Sequence, residues 1–506
     1  MTETVDVLII GSGPAGATYA RTIGDALPTA RILMVEVGPA VPGRRGEHTQ
    51  NMIDADREAA QLLTQGPDAG IERAAALADI APGIDPSLEF RQTILPGLFF
   101  VDPTPALAAG EVGLPAASMS SGVGGMGIHW GTSCPRPHQS ERVPFIPGDD
   151  LDAALDHAEQ LLGVTRSDDA TGLAGALRKA MSDEFDGPGL TPVGFGQGAT
   201  HREGDRLVFS GTGAILGELE QTVPGFELRP ETLARRVLVE RGTAVGAELQ
   251  DRRTGEVYRV RAGRVVVCAD GLRTPQVLFA SGIRPRALGH HLNEHFQMMS
   301  FLTLDDEFDP AAHPAGPPLA GVQIPFSDAR PMQGGVVALA NSPYKLPFGD
   351  DLSMSRLGIV VWYAAKDIQF RDAVEFSETE TDFYGMPRMS IRYSHTERDL
   401  ETIETMRANC LRAASRIGTI TMEPALAAGG SSLHYQGTVR MGTTDDGTSV
   451  CDPYLRVWAV ENLYVGGNGV IPTSTAANPT LTTVALAWRA ASRLARELVG
   501  AERLTR

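Results

Sequence analysis

Residues Val5-Asp-Val-Leu-Ile-Ile10 form an apolar, β-rich run that stops on Gly11-Ser-Gly13-Pro-Ala-Gly16 and continues into Ala17-Thr-Tyr-Ala-Arg-Thr-Ile23, a small-residue helix pattern. A second apolar run, Arg31-Ile-Leu-Met-Val35, ends at Glu36, 20 residues beyond Gly16. Three glycines at this spacing between strand and helix, with an acid closing the next strand, make a dinucleotide-binding unit. Gly11 permits the tight turn, Gly13 lets the backbone approach a pyrophosphate, and Gly16 lets helix and strand pack closely. The phosphates rest on the helix N-terminus and Glu36 accepts hydrogen bonds from ribose hydroxyls. The pattern commits this end of the chain to a Rossmann-like α/β unit and leaves open whether the dinucleotide is FAD or NAD.

The chain has 506 residues, room for two to four domains at roughly 100–200 residues each, and it can bury a large core without disulfides. Its 44 basic and 62 acidic side chains leave a net charge of −18, which disfavours nucleic acid and anionic membrane as partners. Cys134, Cys268, Cys410 and Cys451 are scattered, without CxxC spacing, so neither a metal site nor a redox dithiol is expected. With no signal or transit peptide visible, the expected location is cytoplasmic. The apolar run Ile359-Val-Val-Trp-Tyr-Ala-Ala365 falls far short of the ~18–20 residues that cross a bilayer.

A second glycine cluster, Ser118-Met-Ser-Ser-Gly-Val-Gly-Gly-Met-Gly-Ile-His129-Trp130-Gly131, has five glycines between positions 122 and 131. No helix interior tolerates this, since each glycine costs roughly 0.5–1 kcal/mol there. A backbone lying flat against a planar ligand does, and it brings His129 and Trp130 to that ligand. From about residue 300 to 428 the pattern changes. Met298–Leu304, Gly335–Leu339, Gly358–Tyr363 and Met389–Tyr393 alternate as strands of an antiparallel sheet, and Glu397–Arg416 reads as a helix covering it. Trp362, Tyr363 and Tyr384 are large enough to stack on a ligand ring, although ordinary packing is the better reading of each.

The C-terminal quarter reads His434-Tyr-Gln-Gly437-Thr438-Val-Arg-Met441-Gly442, then Asp452–Val457, Glu461-Asn-Leu-Tyr-Val-Gly466-Gly467-Asn468, Ser474-Thr-Ala-Ala-Asn478-Pro479-Thr480, and a helix over 483–499. Taken with the two glycine motifs, these blocks resemble the glucose–methanol–choline (GMC) oxidoreductases, and among them the pyranose oxidase and bacterial C-glycoside 3-oxidase branch. The resemblance is strong at both chain ends and loose over the substrate half.

The resemblance implies FAD, and with it a set of roles. Gly124, Gly125, Met126, His129 and Trp130 would lie against the flavin, and His129 is the residue that some relatives join covalently to the flavin 8α-methyl carbon. Gly131 stands where fungal pyranose oxidases carry a threonine near flavin N5, which puts efficient use of O2 in doubt. The hairpin around Val237 would meet the adenine. The block Gly263–Leu278 matches the second family signature, and His290-His-Leu-Asn-Glu-His295 matches the stretch that succeeds it in the family. The three histidines there read as packing beneath the cofactor. Gly467, Asn468, Pro479 and Thr480 would pin the isoalloxazine, with the final helix offering its positive end to the pole that gains negative charge. His434 is then the base that takes a hydroxyl proton while hydride moves to flavin N5, and Asn478 is the amide that holds the substrate oxygen.

The fold expected is α/β (α+β overall), a Rossmann-like FAD-binding domain interleaved with an antiparallel-sheet substrate domain. Residues 1–140, 206–298 and 429–506 are assigned to the first, and 141–205 and 299–428 to the second. The reaction expected is oxidation of a secondary ring hydroxyl, at C2 or C3, of a pyranose sugar or glycoside, with reoxidation by O2 or a quinone, in a monomer or homo-oligomer. Two other readings stay open: a GMC enzyme acting on a non-sugar alcohol, and a lyase on the same fold in which FAD is structural.

Overall fold

The computed structural model describes residues 3–64, 98–100, 110–167, 171–185, 193–194, 196–204, 206–313, 320–338 and 356–505. Strand Glu3–Ile10 is the centre of a seven-stranded sheet because its side chains are buried on both faces. It pairs in parallel with Ile32–Val35 on one side and Val257–Val267 on the other, with Val7 opposite both Ile32 and Arg264. Phe226–Arg229 and Leu463–Val465 extend the parallel part, while Thr232–Glu240 and Thr243–Asp251 add an antiparallel meander at one edge. Such near-continuous apolar runs are what parallel strands covered on both faces require. Helices Pro14–Ala26, Gly148–Leu162 and Thr480–Thr505 pack together over this sheet.

The second sheet is antiparallel, with Gly418–Leu426, Phe296–Leu304, Leu357–Ala364, Met332–Ala338, Ala320–Ile324 and Val193–Gly194 in that order. Phe296–Leu304 alternates between buried and half-buried positions along its whole length, so one face is committed to a core. Helix Glu397–Ile417 covers that face with Ile403, Met406, Cys410, Ala413 and Ile417, and begins at a reciprocal cap between Thr396 and Asp399. Trp362 lies fully buried between this helix and Gly172–Phe185, where it meets Phe185, and is therefore packing.

Some expectations are redrawn. Met389–Tyr393 does not join the sheet. Pro387–Arg392 pairs with Ala373–Thr381 as a separate hairpin, whose Val374, Tyr384, Met386, Met389 and Ile391 enter the core of the parallel sheet. Helix Gly148–Leu162, placed by sequence with the substrate half, likewise buries Leu151, Leu155 and Leu162 in that core. The final helix starts three residues earlier than expected, at Thr480. Leu339 lies outside the described residues. Among those described, no helix is long and apolar enough to cross a membrane and no cysteine is in a disulfide.

One ion pair ties the two sheets together. Lys366 Nζ donates to Asp372 Oδ2 at 2.6 Å with both side chains buried (0% and 1% exposed). Asp372 also accepts from the backbone N–H and hydroxyl of Ser394. The carbonyl of Lys366 accepts from Asn293 Nδ2 and Ser474 Oγ, across the boundary between the sheets. Removing one partner strands a buried charge, which costs about 3–5 kcal/mol. Asp372→Ala is therefore expected to lose about that much stability in denaturant unfolding, and a loss under about 1 kcal/mol would show the pair to be dispensable.

Candidate active site

The parallel strands end in two crossing turns, and these create the cofactor cradle. Gly11 has φ +102, and a Cβ there would lie 2.2 Å from the carbonyl oxygen of Cys268. A Cβ on Gly16 would lie 2.1 Å from the carbonyl oxygen of Gly11. The turn thus closes directly onto the helix Pro14–Ala26, whose first N–H groups are left facing the space above it. Glu36 is buried at the end of its strand. Its carboxylate accepts from the backbone N–H and hydroxyl of Ser12 and from the N–H of Gly38, and burial raises its pKa against those bonds.

A cavity open at its mouth lies against this turn. Gly11, Gly13 and Glu36 line it together with Leu233, Ala234, Arg273, Gln276, Met126, Trp130, Gly467, Asn468, Thr480 and Thr483. The residues fit FAD. The helix N-terminus suits the pyrophosphate and Glu36 a ribose. The flavin end is polar where it should be: Thr483 Oγ1 donates to Asn468 Oδ1 at 2.6 Å, and the helix Thr480–Thr505 opens there.

The glycine-rich loop packs against the dinucleotide turn. A Cβ on Gly125 would be 3.1 Å from Gly13 Cα, and Ser12 Oγ accepts from the N–H of Gly124 while donating to Glu36. Trp130 is fixed by its indole N–H to the carbonyl of Ser210. Gly131 has open space where a side chain would go. His129 is turned otherwise than expected. Its ring is absent from the cavity wall, its Nε2 lies 3.1 Å from Thr64 Oγ1, and burial together with the neighbouring His48 holds its pKa down at about 3. Gly16, Gly124, Val237 and Pro479 also stand behind the wall. The N–H of Val237 is committed to Ser281 Oγ, and the hairpin presents Leu233 and Ala234 instead.

His434 and Asn478 belong to one network. His434 Nδ1 is 2.7 Å from His295 Nε2, and His295 packs against the ring of Tyr363. The phenol of Tyr363 is a hydrogen-bond partner of Asn478, whose Oδ1 accepts from Gln333 Nε2 at 2.9 Å. Gln333 in turn meets Gln323 on the next strand. His434 keeps part of its surface open, yet it is ringed by enough protein that burial, then His295, holds its pKa well below the ordinary value. It is neutral at physiological pH, the form a base requires. The loop carrying Asn478 is held by Glu141, whose Oε1 accepts from the N–H groups of Ala476 and Ala477. Burial raises the pKa of Glu141 to about 7.

Tyr384 lies elsewhere, its hydroxyl on Ser121 and its ring beneath Arg252 and Arg273. His295, Gln333, Tyr363, Glu141 and Thr483 support the site; of these, sequence reasoning considers only Tyr363 for a ligand contact, and prefers packing for it. Only His295 lies in a recognised motif, where it reads as packing. Among the described residues, no three His, Cys, Asp or Glu are grouped to hold a metal. Gly11→Ala forces its new carbon into the Cys268 carbonyl at a left-handed φ. The purified variant is expected to carry little flavin by its absorbance ratio, and full flavin occupancy would contradict this account of the turn.

Comparison with known proteins fits this geometry. Residues 136–297 and 373–487 match the two family models described as GMC oxidoreductase. C-glycoside 3-oxidases from Arthrobacter globiformis and Microbacterium trichothecenolyticum are each 43% identical over 98% of this chain, and 96% and 97% of their own lengths are covered. A pyranose 2-oxidase from Tricholoma matsutake is 31% identical over 96% of the chain and 93% of its own length. Among solved structures, pyridoxine 4-oxidase from Mesorbium loti superposes with a TM-score of 0.62 at 15% identity, covering 97% of this chain and 99% of that one, which bears on the fold alone. The chain belongs to the GMC oxidoreductase family of FAD-dependent enzymes.

Proposed function

We propose that this enzyme oxidises a secondary ring hydroxyl of a pyranose glycoside to a ketone, with C3 as the preferred carbon. The observation that carries the reading is identity of 43% along nearly the whole chain to two C-glycoside 3-oxidases, against 31% to a pyranose 2-oxidase. The placement of His434 and Asn478 in one network supports it.

Bound FAD supplies the two-electron acceptor for the hydride that leaves the carbinol carbon, and O2 or a quinone then restores it. The protein does the rest. Neutral His434 accepts the hydroxyl proton. With Asn478 Oδ1 occupied by Gln333 and its side chain also bonded to the Tyr363 phenol, one amide hydrogen is the group left to hold the substrate oxygen.

Anaerobic mixing with a panel of C- and O-glycosides is expected to bleach the flavin band near ~450 nm, with a 3-keto product by NMR. His434→Ala should slow bleaching by about 100-fold or more. The lowered pKa of His434 keeps the base neutral below the usual ~6.5, so the wild-type rate should hold as pH falls through 6.5 and drop only at lower pH. Bleaching by non-sugar alcohols alone, or by none, would reject the reading.

We also propose that FAD is held without a bond to His129, because Nε2 is engaged with Thr64 and the ring lies off the cavity wall. Acid precipitation should leave the flavin in the supernatant. A yellow pellet would establish a covalent link.

A further inference from the structure

We infer that Glu294 is a positioning residue for the base: its buried carboxylate holds the turn over residues 430–433 and, through Ser432, sets the backbone from which the His434 ring projects. This rests on the reading of His434 as the base. Three consecutive residues grip the segment that carries it. Asn293 exchanges backbone hydrogen bonds with Gln436 in both directions, at 3.0 and 2.8 Å, two residues beyond the base. His295 meets the His434 ring itself. Glu294, between them, reaches the residues that precede the base.

The bonds of Glu294 form a short chain that ends on His434. Oε2 accepts from the N–H of Gly430 at 2.6 Å, and Oε1 accepts from the N–H of Ser432 at 3.1 Å and from its hydroxyl at 2.5 Å. The backbone N–H of His434 donates to Ser432 Oγ at 3.2 Å. An N–H can only donate, so the serine oxygen accepts there and its own hydrogen is left for Glu294. Glu294 is itself fixed from behind, because the Tyr393 hydroxyl accepts from its N–H and donates to its carbonyl.

The turn needs such a clamp. Leu433, immediately before the base, has φ +62, and Gly430 has φ +95 with its Cβ position 2.2 Å from the backbone nitrogen of Ala117. A side chain as large as leucine rarely adopts that left-handed region. Residues held in it persist only where their surroundings over-determine them, and they gather at active sites. A relaxed Leu433 would rotate the residue after it and swing the His434 ring away from His295. Filling space does not account for Glu294, since at 4% exposure an apolar side chain would do so without desolvating a carboxylate.

Glutamine has the size of glutamate and cannot replace it here. Each carboxylate oxygen faces a backbone N–H, so whichever way the amide turns, its NH2 meets a donor that cannot turn aside.

The test uses the FAD-loaded enzyme. Crystal structures of wild type and Ser432→Ala should show His434 Nδ1 displaced in the variant to past about 3.2 Å from His295 Nε2, outside hydrogen-bond range. A ring that keeps its 2.7 Å contact in Ser432→Ala would overturn the proposal. In anaerobic flavin reduction by a glycoside that bleaches wild type, Glu294→Gln should lower the limiting rate by about 100-fold, with glycoside affinity and flavin content unchanged. Ser432→Ala should lose about 10-fold, and Ser432→Thr, which keeps the hydroxyl, should regain most of that loss. Wild-type rates in Ser432→Ala, or equal losses in both Ser432 variants with weakened binding, would reduce Glu294 to packing. Should Glu294→Gln fail to fold, the two Ser432 variants carry the decision. If wild type bleaches with no glycoside, the functional reading falls instead, and the distance between the two histidines still decides the clamp.

Discussion

The carbonyl oxygen of Cys268 reaches to within 2.2 Å of where a side chain on Gly11 would begin, and the site is arranged around that contact. It brings together the ends of two parallel strands, Glu3–Ile10 and Val257–Val267, at a separation no other residue permits. Once they are fixed, the helix after Gly13 points its free N–H groups along the cavity. The return strand Leu463–Val465, paired with Val257–Val267, delivers Gly467 and Asn468 to the same cavity from the far end of the chain. Residues from opposite ends of the sequence thereby line one space. The Rossmann-type arrangement places ligands at the carboxyl ends of parallel strands for this reason.

Charge in the site is managed by burial and by backbone dipoles. Glu36 and Glu141 are buried carboxylates satisfied by N–H donors, Glu36 also by the Ser12 hydroxyl. Glu141 grips the loop before Asn478, and the helix N-terminus at Thr480 comes two residues later. A cation at this point would favour anionic groups at all times. A helix end offers a weaker, fixed partial charge instead. His295 and His434 are kept neutral by the same burial, so in the proposed role His434 is ready to take a proton without a preceding deprotonation.

What the sequence showed and what it hid divide along a physical line. The strand–glycine–helix unit is readable because local sterics dictate it: Gly11 and Gly16 each face a backbone carbonyl that forbids a side chain. His434 and Asn478 are readable through family motifs. Gln333, Tyr363 and Glu141 are not, because each acts through a contact far away in sequence that leaves no periodic trace. Val237 stands off the cavity for a related reason. The hairpin itself is where the sequence puts it, but a bulge between Ala234 and Arg236 shifts which residues face the cavity, and a one-residue shift moves a strand's side chains to the other face. Met389–Tyr393 has the alternation of a strand but pairs elsewhere, since period-two patterning specifies a strand and not its neighbour.

The substrate-side sheet does more than enclose a ligand. Gln333 and Gln323 sit on adjacent strands of it, and the amide of Asn478, which belongs to the other end of the chain, is oriented by their relay. Lys366, just beyond the end of the strand bearing Tyr363, offers its carbonyl to Ser474 in the loop that carries Asn478, and the Asp372 carboxylate anchors its ammonium. The loop is therefore gripped from three sides: by Glu141, by Lys366, and by the glutamine pair. In the role proposed for it, the Asn478 amide needs such support, because effective positioning is lost with displacements of about 1 Å. The two sheets are therefore joined at Asn478, and substitutions in the substrate half that tilt the strands bearing Gln333 or Tyr363 would displace this residue.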